Sequence, residues 1–556
     1  MVFIVKKKIH GREYYYLNEN KRIDGKVKTK TLAYLGKTKA EANKRAKEFM
    51  DKLKKDGDKD KVMEAKESVA EHKKISVEEL AVFCKRKGFI FRSSDIYGGF
   101  AGFWDFGPLG VELFNNIKKE WWNYFVRQKE NMVGMEASII SHPRTWKASG
   151  HIENFNVNDY LVTCVKCKKS VKIDKPDLGK IKCECGGDYD WEKAKMIEQM
   201  FRTHMGSTGE EVYLRGETAQ GMFMDFKLIQ QTSRMQLPFG IAQIGRCFRN
   251  EIAPRDFLFR SREFHIGEFE FFIQPEETKC DLLESKHLNL KFDFLDEEMQ
   301  KKDSEELKEI SIKELLKSKK LGEWQAYWLT EQIMWFRNLG LDEIKIREHT
   351  KEELSHYSSA TFDIDYHYPF GSKEVAGNAD RGQFDLTQHQ KESKEKMEIF
   401  DEKAGKKILP RVIEPTFGME RIFLAILTKA YCEDKERKTI VLKLPPKLAP
   451  VKVAVFPIVK SNEFEKICED IYGDLRKEWN IVYDRSGSIG RRYSRNDEIG
   501  TPFCITVDEK SLKGNDVTIR DRDSKKQIRV KIVELKNILR KLIEGEIEFE
   551  SAGKLV

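Results

Sequence analysis

Basic and acidic side chains alternate in one short stretch, residues 248–264 and their flanks, and their types suit the binding of phosphate. Arginine guanidinium groups bind phosphate oxygens through two parallel hydrogen bonds, whereas glutamates need a cationic partner. The flanking apolar runs predict a strand, a Pro-containing loop and an antiparallel strand. We therefore expect a hairpin that binds a polyanion and a cation, and a salt-bridged surface hairpin is the alternative. Its charged residues are Arg246, Arg249, Arg255, Arg260, Arg262, Glu251, Glu263, Glu268 and Glu270.

Four cysteines form two close pairs with fifteen residues between them. Four thiolates at this spacing can close tetrahedrally around Zn²⁺, and the lysines near them offset the negative charge of the site. No water-activating histidine lies in the spacing, so a structural zinc is predicted rather than a catalytic one. A redox-active pair, or a cluster that has lost its metal, are the alternatives. The four residues are Cys164, Cys167, Cys183 and Cys185.

Length and composition limit the class of protein. A chain of 556 residues is too long to fold around a single hydrophobic core, and its length suggests about three or four domains. No apolar run approaches the roughly 20 residues of a membrane span, and the N-terminus lacks the apolar core of a signal peptide. The other cysteines are scattered singly, which is typical of intracellular proteins. We expect a soluble, cytoplasmic protein that makes no contact with a membrane.

The positive charge is concentrated at the N-terminus. Residues 1–75 contain 22 Lys and Arg against 12 Asp and Glu, while the net charge of the whole chain is only +9. Strand patterns at 2–9, 13–19 and 26–35 precede a basic helical pattern, so 1–55 is predicted to be a small β-rich basic module. It loosely resembles small basic modules of nucleic-acid-handling proteins, and we expect RNA binding. A solubilising arm is the alternative, and 56–75 is predicted to be a charged linker.

Other stretches give the hairpin a family context. Residues 248–264 closely resemble motif 2 of the class II aminoacyl-tRNA synthetases, in the form found in the glycyl-tRNA synthetase family. Residues 412–421 resemble motif 3, and an apolar helical pattern follows at 422–431. The aromatic, glycine-rich segment 96–110 and the helix pattern at 111–127 resemble motif 1, which forms a homodimer interface in that family. Further matches, in family order, lie at 147–155, 214–221, 347–349, 353–357 and 374–382.

The resemblance implies a fold and a domain order. An α+β catalytic domain with the class II antiparallel sheet is expected at 76–440, containing a zinc ribbon at about 160–192. A charged insertion at about 275–360 has the composition of a solvated face and is a candidate for contact with the tRNA acceptor stem. An α/β anticodon-binding domain is expected at 446–545. There, basic residues and aromatics in 486–502 and 520–523 suit base stacking and phosphate contact.

An ATP site is implied by the same resemblance. Arg249 corresponds to the residue that binds the α-phosphate, and Arg260 to one that reaches the β- and γ-phosphates. Phe264 and Arg421 would cover the two faces of the adenine, while Glu251 contacts its amino edge. Arg249, Glu251 and Arg421 are the catalytic candidates, and Glu374 and Glu414 are the implied Mg²⁺ ligands. The full ATP-binding set is Arg249, Asn250, Glu251, Arg260, Ser261, Phe264, Glu374, Val375 and Arg421.

A glycine pocket is also implied. Glu217 and Glu268, with the Thr416 hydroxyl, would clamp the ammonium group, and Glu414 and Pro415 complete the set. This chain has Gly216 where most members have proline, and Thr416 where the family usually has serine. A pocket for the smallest amino acid can exclude alanine sterically and has no smaller competitor to reject. No editing domain is apparent, which agrees with glycine.

The predicted function is therefore that of a glycine–tRNA ligase in the archaeal and eukaryotic-like dimeric form. Such an enzyme activates glycine with ATP and transfers it to the 3′ end of glycine tRNA, releasing AMP and pyrophosphate. Contact with both the acceptor stem and the anticodon is expected, as is a homodimer. A prolyl, threonyl or seryl relative is disfavoured by 214–221 and 486–502. A catalytically silent tRNA-binding paralogue is disfavoured by the intact charged residues of motifs 2 and 3.

Overall fold

The computed structural model describes residues 75–152, 159–174, 178–196, 199–301, 307–354 and 358–556, together with the backbone of three strands before residue 37. The chain divides into two compact units, Met1–Lys73 and Lys74–Val556. The predicted basic helix at 39–55 and almost all of the predicted linker at 56–75 lie outside the described residues. No helix in the described part of the chain has both the length and the apolar character to cross a bilayer.

The first unit contains a three-stranded antiparallel sheet in the order β1-β2-β3. Val5 pairs with Tyr16 between the first two strands, and Lys21 pairs with Lys28 between the second and third. These strands agree with the three predicted from the sequence. Their bounds are β1 (Val2–Ile9), β2 (Arg12–Ile23) and β3 (Lys26–Gly36).

The second unit opens with the predicted capping box. The amide of Glu79 donates to Ser76 Oγ at 3.2 Å, and the amide of Ser76 donates to Glu79 Oε2 at 3.0 Å, so two orphan amides of the helix end are satisfied. The helix with the motif 1 pattern follows, and a π-helical turn at Asn123–Arg127 extends it. The elements are α1 (Val77–Lys87), β4 (Ile90–Arg92), β5 (Trp104–Phe106), α2 (Pro108–Trp122), β6 (Met132–Gly134), β7 (Ile140–Ser141) and α3 (Pro143–Ala148).

Two small sheets separate this region from the main sheet. One has the order β10-β8-β9 and carries the cysteine pairs, and the other has the order β11-β12-β7. A helix then leads into the main sheet. The elements are β8 (Asp159–Thr163), β9 (Ser170–Asp174), β10 (Lys195–Met196), β11 (Arg202–Met205), β12 (Glu210–Leu214) and α4 (Ala219–Ser233).

A nine-stranded sheet forms the centre of the second unit, in the order β16-β15-β17-β18-β19-β22-β14-β13-β6. Its strands are antiparallel except where β6 pairs with β13 and β15 with β17. The predicted motif 2 hairpin is β13 with β14, and motif 3 is β22 with the helix after it. The strands of this sheet besides β6 are β13 (Phe239–Phe248), β14 (Glu263–Ile273), β15 (Lys291–Leu295), β16 (Lys308–Ser311), β17 (Ile344–Glu348), β18 (Ala360–Tyr368), β19 (Gly371–Gly382) and β22 (Arg411–Gly418). Two short strands, β20 (Ile399–Asp401) and β21 (Lys406–Ile408), pair with each other in a separate sheet.

The insertion between motifs 2 and 3 differs from its prediction as a solvated charged face. Three of its strands, β15 to β17, extend the main sheet, and its longest helix is buried on nearly all sides. Trp328 and Ile333 of that helix are fully buried in the main core. The lysines and glutamates that dominate the composition lie around this apolar centre. The helices of the insertion are α5 (Ser285–Leu288), α6 (Glu297–Lys301), α7 (Ile312–Lys317) and α8 (Glu323–Asn338), and α9 (Phe384–Ser393) and α10 (Met419–Ala430) follow it in the chain.

The C-terminal region forms a six-stranded sheet with its own core, in the order β26-β25-β27-β28-β29-β30. A β-hairpin joins it to the main sheet. This mixture of strands and helices agrees with the α/β domain expected at 446–545. The elements are β23 (Tyr431–Asp434), β24 (Thr439–Leu442), β25 (Val453–Pro457), α11 (Asn462–Leu475), β26 (Ile481–Tyr483), α12 (Ile489–Glu498), β27 (Phe503–Val507), α13 (Glu509–Gly514), β28 (Asp516–Asp521), β29 (Gln527–Lys531), α14 (Ile532–Glu544) and β30 (Lys554–Leu555).

Candidate active site

A cavity of about 180 Å³ lies over the main sheet where β14, β22 and β19 run side by side. Because side chains alternate between the two faces of a strand, Ile266 and Glu268 of β14 reach this cavity together. The structure thus brings together residues from four separate sequence motifs. Those that the sequence predicted are Glu217, Arg249, Glu268, Glu374, Glu414 and Thr416.

One of the predicted glycine-binding carboxylates, Glu268, accepts hydrogen bonds from two hydroxyl groups. Thr416 Oγ1 donates to Glu268 Oε1 at 3.1 Å, and the Thr218 hydroxyl donates to the other oxygen of Glu268. Burial raises the pKa of Glu268, and the nearby Glu217 charge raises it further. Burial also raises the pKa of Glu414 well above its ordinary value, although Arg381 opposes this. A cation that entered the cavity would lower both pKa values, because an opposite charge favours the ionised carboxylate.

Glu217 has the opposite electrostatic character. Its carboxylate is 3.0 Å from His151 Nε2 and accepts a hydrogen bond from Gln220 Nε2 at 2.9 Å. Burial alone would raise the pKa of Glu217. His151, Arg381 and Gln220 outweigh that effect and hold the pKa well below its usual range. Glu217 is thus the permanently ionised member of the group.

Sequence reasoning missed the cation beneath this pocket. Arg381 is only 1% exposed and donates to both oxygens of Asp385 at 2.8 Å and to Glu414 Oε1 at 2.7 Å. Such hydrogen bonding is what allows the Arg381 guanidinium to be buried. The sequence carried a signal, because Arg381 lies inside the matching stretch 374–382, but nothing in the stretch gave it a role.

A third carboxylate lies against this pocket. One oxygen each of Glu268, Glu270 and Glu414 lie within 4.8 Å of one another, and Glu270 is fully buried. Burial and the neighbouring Glu414 raise the pKa of Glu270 well above its ordinary value. Three acidic residues thus lie close together under the pocket, and burial raises the pKa of each.

Two of the predicted nucleotide residues, Arg249 and Glu374, line the cavity. Arg249 Nε donates to the Gly216 carbonyl at 3.1 Å, and the guanidinium lies 5.5 Å from the centre of the Phe264 ring. Arg421 lies over Phe259 at 4.5 Å and pairs with Glu374 at 3.0 Å. Arginine and aromatic ring are thus adjacent on the surface where the adenine was predicted to bind.

Two predicted ATP ligands contact each other. Arg260 Nε donates to Glu251 Oε2 at 2.7 Å, and the Arg260 side chain is 44% exposed. Val375 is fully buried, so only its backbone could contact a nucleotide. Ser261 is also buried, and the amide of Asn250 donates to the carbonyl of Gln199, outside the hairpin, at 2.7 Å. Ser261 and Phe264 line a separate cavity of about 370 Å³.

A further wall of the cavity comes from strands that the site prediction did not include. His349 Nε2 is 2.9 Å from Asp363 Oδ2, and the same carboxylate pairs with Arg347. Burial alone would lower the pKa of His349, but the hydrogen bond to Asp363 outweighs it and the pKa is raised. The sequence marked 347–349 as a matching stretch, and Asp363 had no signal. The end of the neighbouring match, 355–357, lies outside the described residues.

The four cysteines meet at one point. The sulfurs of Cys164 and Cys185 are 3.6 Å apart, as are those of Cys167 and Cys183, and all four lie within 4.8 Å of one another. Zinc–sulfur bonds of about 2.3 Å in a tetrahedron put the sulfurs about 3.8 Å apart, so the set fits Zn²⁺. A Cβ at Gly187 would lie 3.0 Å from Cys164 Sγ, so glycine permits this close approach.

The arginines of the C-terminal domain correct one expectation. Arg492, Arg520 and Arg522, predicted with their neighbours to contact RNA, are all buried. Arg520 forms two hydrogen bonds with Asp497, at 2.9 and 3.0 Å, and Arg522 donates to the Gly500 and Leu444 carbonyls. These three guanidinium groups hold the domain together, so nucleic acid would have to contact other basic residues of the domain.

Solved structures with a similar fold place the molecule in a class. Prolyl-tRNA synthetase from Cryptosporidium parvum, complexed with halofuginone and AMPPNP, aligns with a TM-score of 0.52 at 15% identity, over 84% of this chain and 75% of that one. The same enzyme with L-proline and AMP gives 0.53 at 16% identity, over 86% and 77%. The main antiparallel sheet with its motif 2 hairpin and motif 3 helix is that of the class II aminoacyl-tRNA synthetases.

Sequence relatives identify the family within that class. The glycine–tRNA ligase of Geobacillus thermodenitrificans is 41% identical over 503 residues, which cover 84% of this chain and 98% of that protein. The glycine–tRNA ligase of Borreliella burgdorferi is 39% identical over 472 residues, covering 83% and 96%. This chain belongs to the glycine–tRNA ligase family, and it is an aminoacyl-tRNA synthetase.

Two family profiles match parts of the chain. Residues 452–542 match the profile described as an anticodon binding domain, which agrees with the domain predicted at 446–545. Residues 3–67 match the profile described as the N-terminal domain of IS1634 family transposases. The first unit of the structure is therefore similar to a domain known from a different class of protein.

Proposed function

We propose that this protein activates glycine with ATP to form glycyl-adenylate and transfers the glycyl group to the 3′ end of glycine tRNA. One observation carries the proposal: Glu217, Glu268 and the Thr416 hydroxyl converge on a small cavity beside Arg249. Carboxylates crowded around one point are costly unless a cation joins them, so the cavity favours an amine. The adjacent guanidinium favours a phosphate.

In the activation step the glycine carboxylate attacks the α-phosphorus of ATP, and the protein must stabilise the charge that develops there. Arg249 lies beside the ammonium pocket, where its guanidinium can neutralise the α-phosphate. Arg260 and Arg421 pair with Glu251 and Glu374, and these ion pairs can exchange for phosphate oxygens when the nucleotide enters. These roles are proposed from position and charge.

Magnesium would be held by Glu374, which is exposed and lies at the nucleotide end of the cavity. When bound, the ion neutralises and orients the phosphates. Glu414 fits this role less well, because it is buried, pairs with Arg381 and favours a proton. We therefore place Glu414 in the glycine set, and its predicted role as a second magnesium ligand stays a prediction.

Glycine-dependent ATP–pyrophosphate exchange tests the proposal directly. We expect exchange with glycine and little with alanine, serine or proline, because a pocket built for glycine can exclude a larger side chain by size. Exchange with serine or proline in place of glycine would assign another amino acid. A folded protein without any exchange would contradict the ligase mechanism.

A structural zinc is proposed for the cysteine cluster, supported by the tetrahedral spacing of the four sulfurs. Purified protein should contain about one zinc per chain, and Cys164→Ser should lose it. Cys468→Ser is the matched control, because Cys468 lies in the C-terminal core, away from the cluster. Full zinc retention in Cys164→Ser, or a protein without metal, would contradict the site.

The N-terminal unit is proposed to bind tRNA through phosphate contacts. Its excess of basic residues supports this, as does its similarity to a transposase domain. Deleting residues 1–70 should raise the KM for tRNA several-fold and leave glycine-dependent exchange unchanged. The effect should shrink at high salt, because released counterions drive such binding. An unchanged KM for tRNA at low salt would leave the unit without this role.

A homodimer is proposed from the exposed apolar residues before α2. Ile96 and Tyr97 are both 87% exposed and Phe100 is 71% exposed, in the segment that resembles motif 1. Large apolar side chains this exposed are typical of interaction surfaces. Light scattering should give the mass of two chains, and Tyr97→Asp should shift it toward one chain. A monomeric wild-type protein would overturn the proposal of a homodimer.

The cytoplasmic location of the protein stays a prediction.

A further inference from the structure

Residues 147–152 match the family in sequence, and the site described above gives them no function. The structure places them at the end of α3, where Gly150 adopts a left-handed conformation with φ +75°. A helix commonly ends at such a glycine because it has no Cβ to clash. This turn points His151 back toward the main sheet, against Glu217.

Three buried side chains form a continuous line there. Ser149 Oγ is 2.7 Å from His151 Nδ1, and His151 Nε2 is 3.0 Å from Glu217 Oε2. The three residues are 1%, 3% and 6% exposed. Trp146 covers the imidazole edge-on at 5.1 Å between ring centres and is itself buried. The arrangement looks like a hydrolytic triad, but the serine is too deeply buried to act as a nucleophile.

The direction of the hydrogen bond follows from the charge of Glu217. An ionised carboxylate can only accept, so His151 Nε2 must carry the proton and donate. The other ring nitrogen is held by the Ser149 hydroxyl, whose own oxygen lies 3.3 Å from the Trp146 carbonyl. Ser149 therefore fixes the rotation of the imidazole, and the imidazole fixes one carboxylate oxygen.

The second oxygen of Glu217 is fixed independently. Gln220 Nε2 donates to Glu217 Oε1 at 2.9 Å and to Asp385 Oδ1 at 3.1 Å, while Gln220 Oε1 lies 2.8 Å from His389 Nε2. Both oxygens thus have a rigid donor behind them. The same carboxylate is one of the groups that line the cavity.

We infer that His151, oriented by Ser149, is a positioning residue that aims the Glu217 carboxylate at the ammonium group of the amino acid and so sets the affinity for glycine. The inference rests on the glycine-binding role proposed for Glu217. His151 touches neither substrate nor nucleotide in this assignment. Its loss should therefore weaken glycine binding and leave ATP binding intact.

The test is steady-state ATP–pyrophosphate exchange on the full-length protein, with glycine and ATP varied separately. His151→Ala should raise the KM for glycine by about 10- to 100-fold, the effect of one hydrogen bond to a charged group. The KM for ATP should stay within about twofold, because His151 donates to no nucleotide residue. Ser149→Ala should raise the KM for glycine less, since it removes only the orienting contact.

Rescue separates positioning from simple support of the fold. His151→Gln keeps an amide donor at nearly the reach of Nε2, so it should recover most of the glycine affinity. His204→Ala is the matched control, because His204 is exposed on β11. Circular dichroism melting identifies variants that do not fold, and if His151→Ala is one of them, Ser149→Ala and His151→Gln still decide the question.

Two results would overturn the inference. One is an unchanged KM for glycine in folded His151→Ala, and the other is a KM for ATP that rises as much as the KM for glycine. Failure of the proposed function looks different, because the wild-type protein would then show no glycine-dependent exchange at all. If the wild-type protein is active and His151→Ala has an unchanged KM for glycine, only this inference is contradicted and the proposed function stands.

Discussion

Arginines serve opposite purposes in the two large domains. In the catalytic domain Arg249 lines a cavity, and Arg260 and Arg421 pair with Glu251 and Glu374, in contacts that a phosphate could replace. In the C-terminal domain Arg520 and Arg522 are buried, and their donors are spent on Asp497 and on backbone carbonyls. The residue type is the same, and its surroundings decide whether it binds a ligand or stabilises the fold.

The comparison teaches that the position of a guanidinium relative to solvent matters more than the local sequence. Both sets lie close to acidic residues in the sequence, and both look suited to nucleic acid or nucleotide. A buried arginine needs every donor matched, which leaves none for a partner. An arginine at a cavity mouth keeps the freedom to change partners when a ligand arrives.

Removing Arg249 should give the largest effect on catalysis. Arg249→Ala should lower glycine-dependent exchange by at least about 100-fold, because electrostatic stabilisation of the α-phosphate is lost. Its melting temperature should stay near that of the wild type, since its side chain serves the cavity. Arg249→Lys should restore only part of the rate, because a point charge cannot bind two oxygens. Normal exchange in Arg249→Ala would contradict the distinction between arginines that bind a ligand and arginines that stabilise the fold.

Removing Asp497 should act on stability instead. Asp497 is 1% exposed and pairs with Arg437 and Arg520. Asp497→Ala leaves the buried Arg520 without its carboxylate partner, while Arg437 keeps Asp434. Chemical denaturation should show a loss of about 3–5 kcal/mol. Exchange activity below the unfolding transition should change little.

The matched control for that prediction is Asp484→Ala. Asp484 pairs with Arg495, whose side chain is 46% exposed, so its loss should cost less than about 1 kcal/mol. Equal destabilisation by both variants would mean that burial does not separate structural arginine pairs from surface ones.

A smaller effect is expected from an exposed arginine on the helix that carries Arg492. Arg491→Ala should raise the KM for tRNA about three- to tenfold, because it removes one exposed phosphate-binding group. Pyrophosphate exchange, which needs no tRNA, should be unchanged. Arg492→Ala, by contrast, should lower stability, so the neighbouring pair sharpens the comparison within one helix turn. An unchanged KM for tRNA in Arg491→Ala would mean that the tRNA-binding surface of the domain does not include Arg491.

Much of the fold could be predicted because local patterns were unambiguous. The capping box at Ser76 and the alternating strands of the motif 2 hairpin specify their own secondary structure. Glu217, Glu268 and Thr416 were found by resemblance, and the structure brings them to one cavity. The role of each remains a proposal.

Other parts could not be predicted, because they depend on contacts between distant segments. Asp363 and Arg381 reach the cavity only through the pairing of β18, β19 and β22. Arg520 gave no sign that its partner would be Asp497, 23 positions earlier. The insertion was misjudged because its many lysines and glutamates conceal an apolar centre, including the aromatic residues of α8.

That helix has a consequence for any attempt to simplify this enzyme. Gln332 of α8 donates to the Gly377 carbonyl at 2.9 Å and accepts from Asn378 at 2.8 Å, while Gln325 donates to the Ala360 carbonyl at 3.2 Å. These glutamines brace, from behind, the strand that faces the substrates. A shortened catalytic fragment that joins motif 2 directly to motif 3 would lack this insertion. It would therefore also lose the support of the strand that faces the substrates.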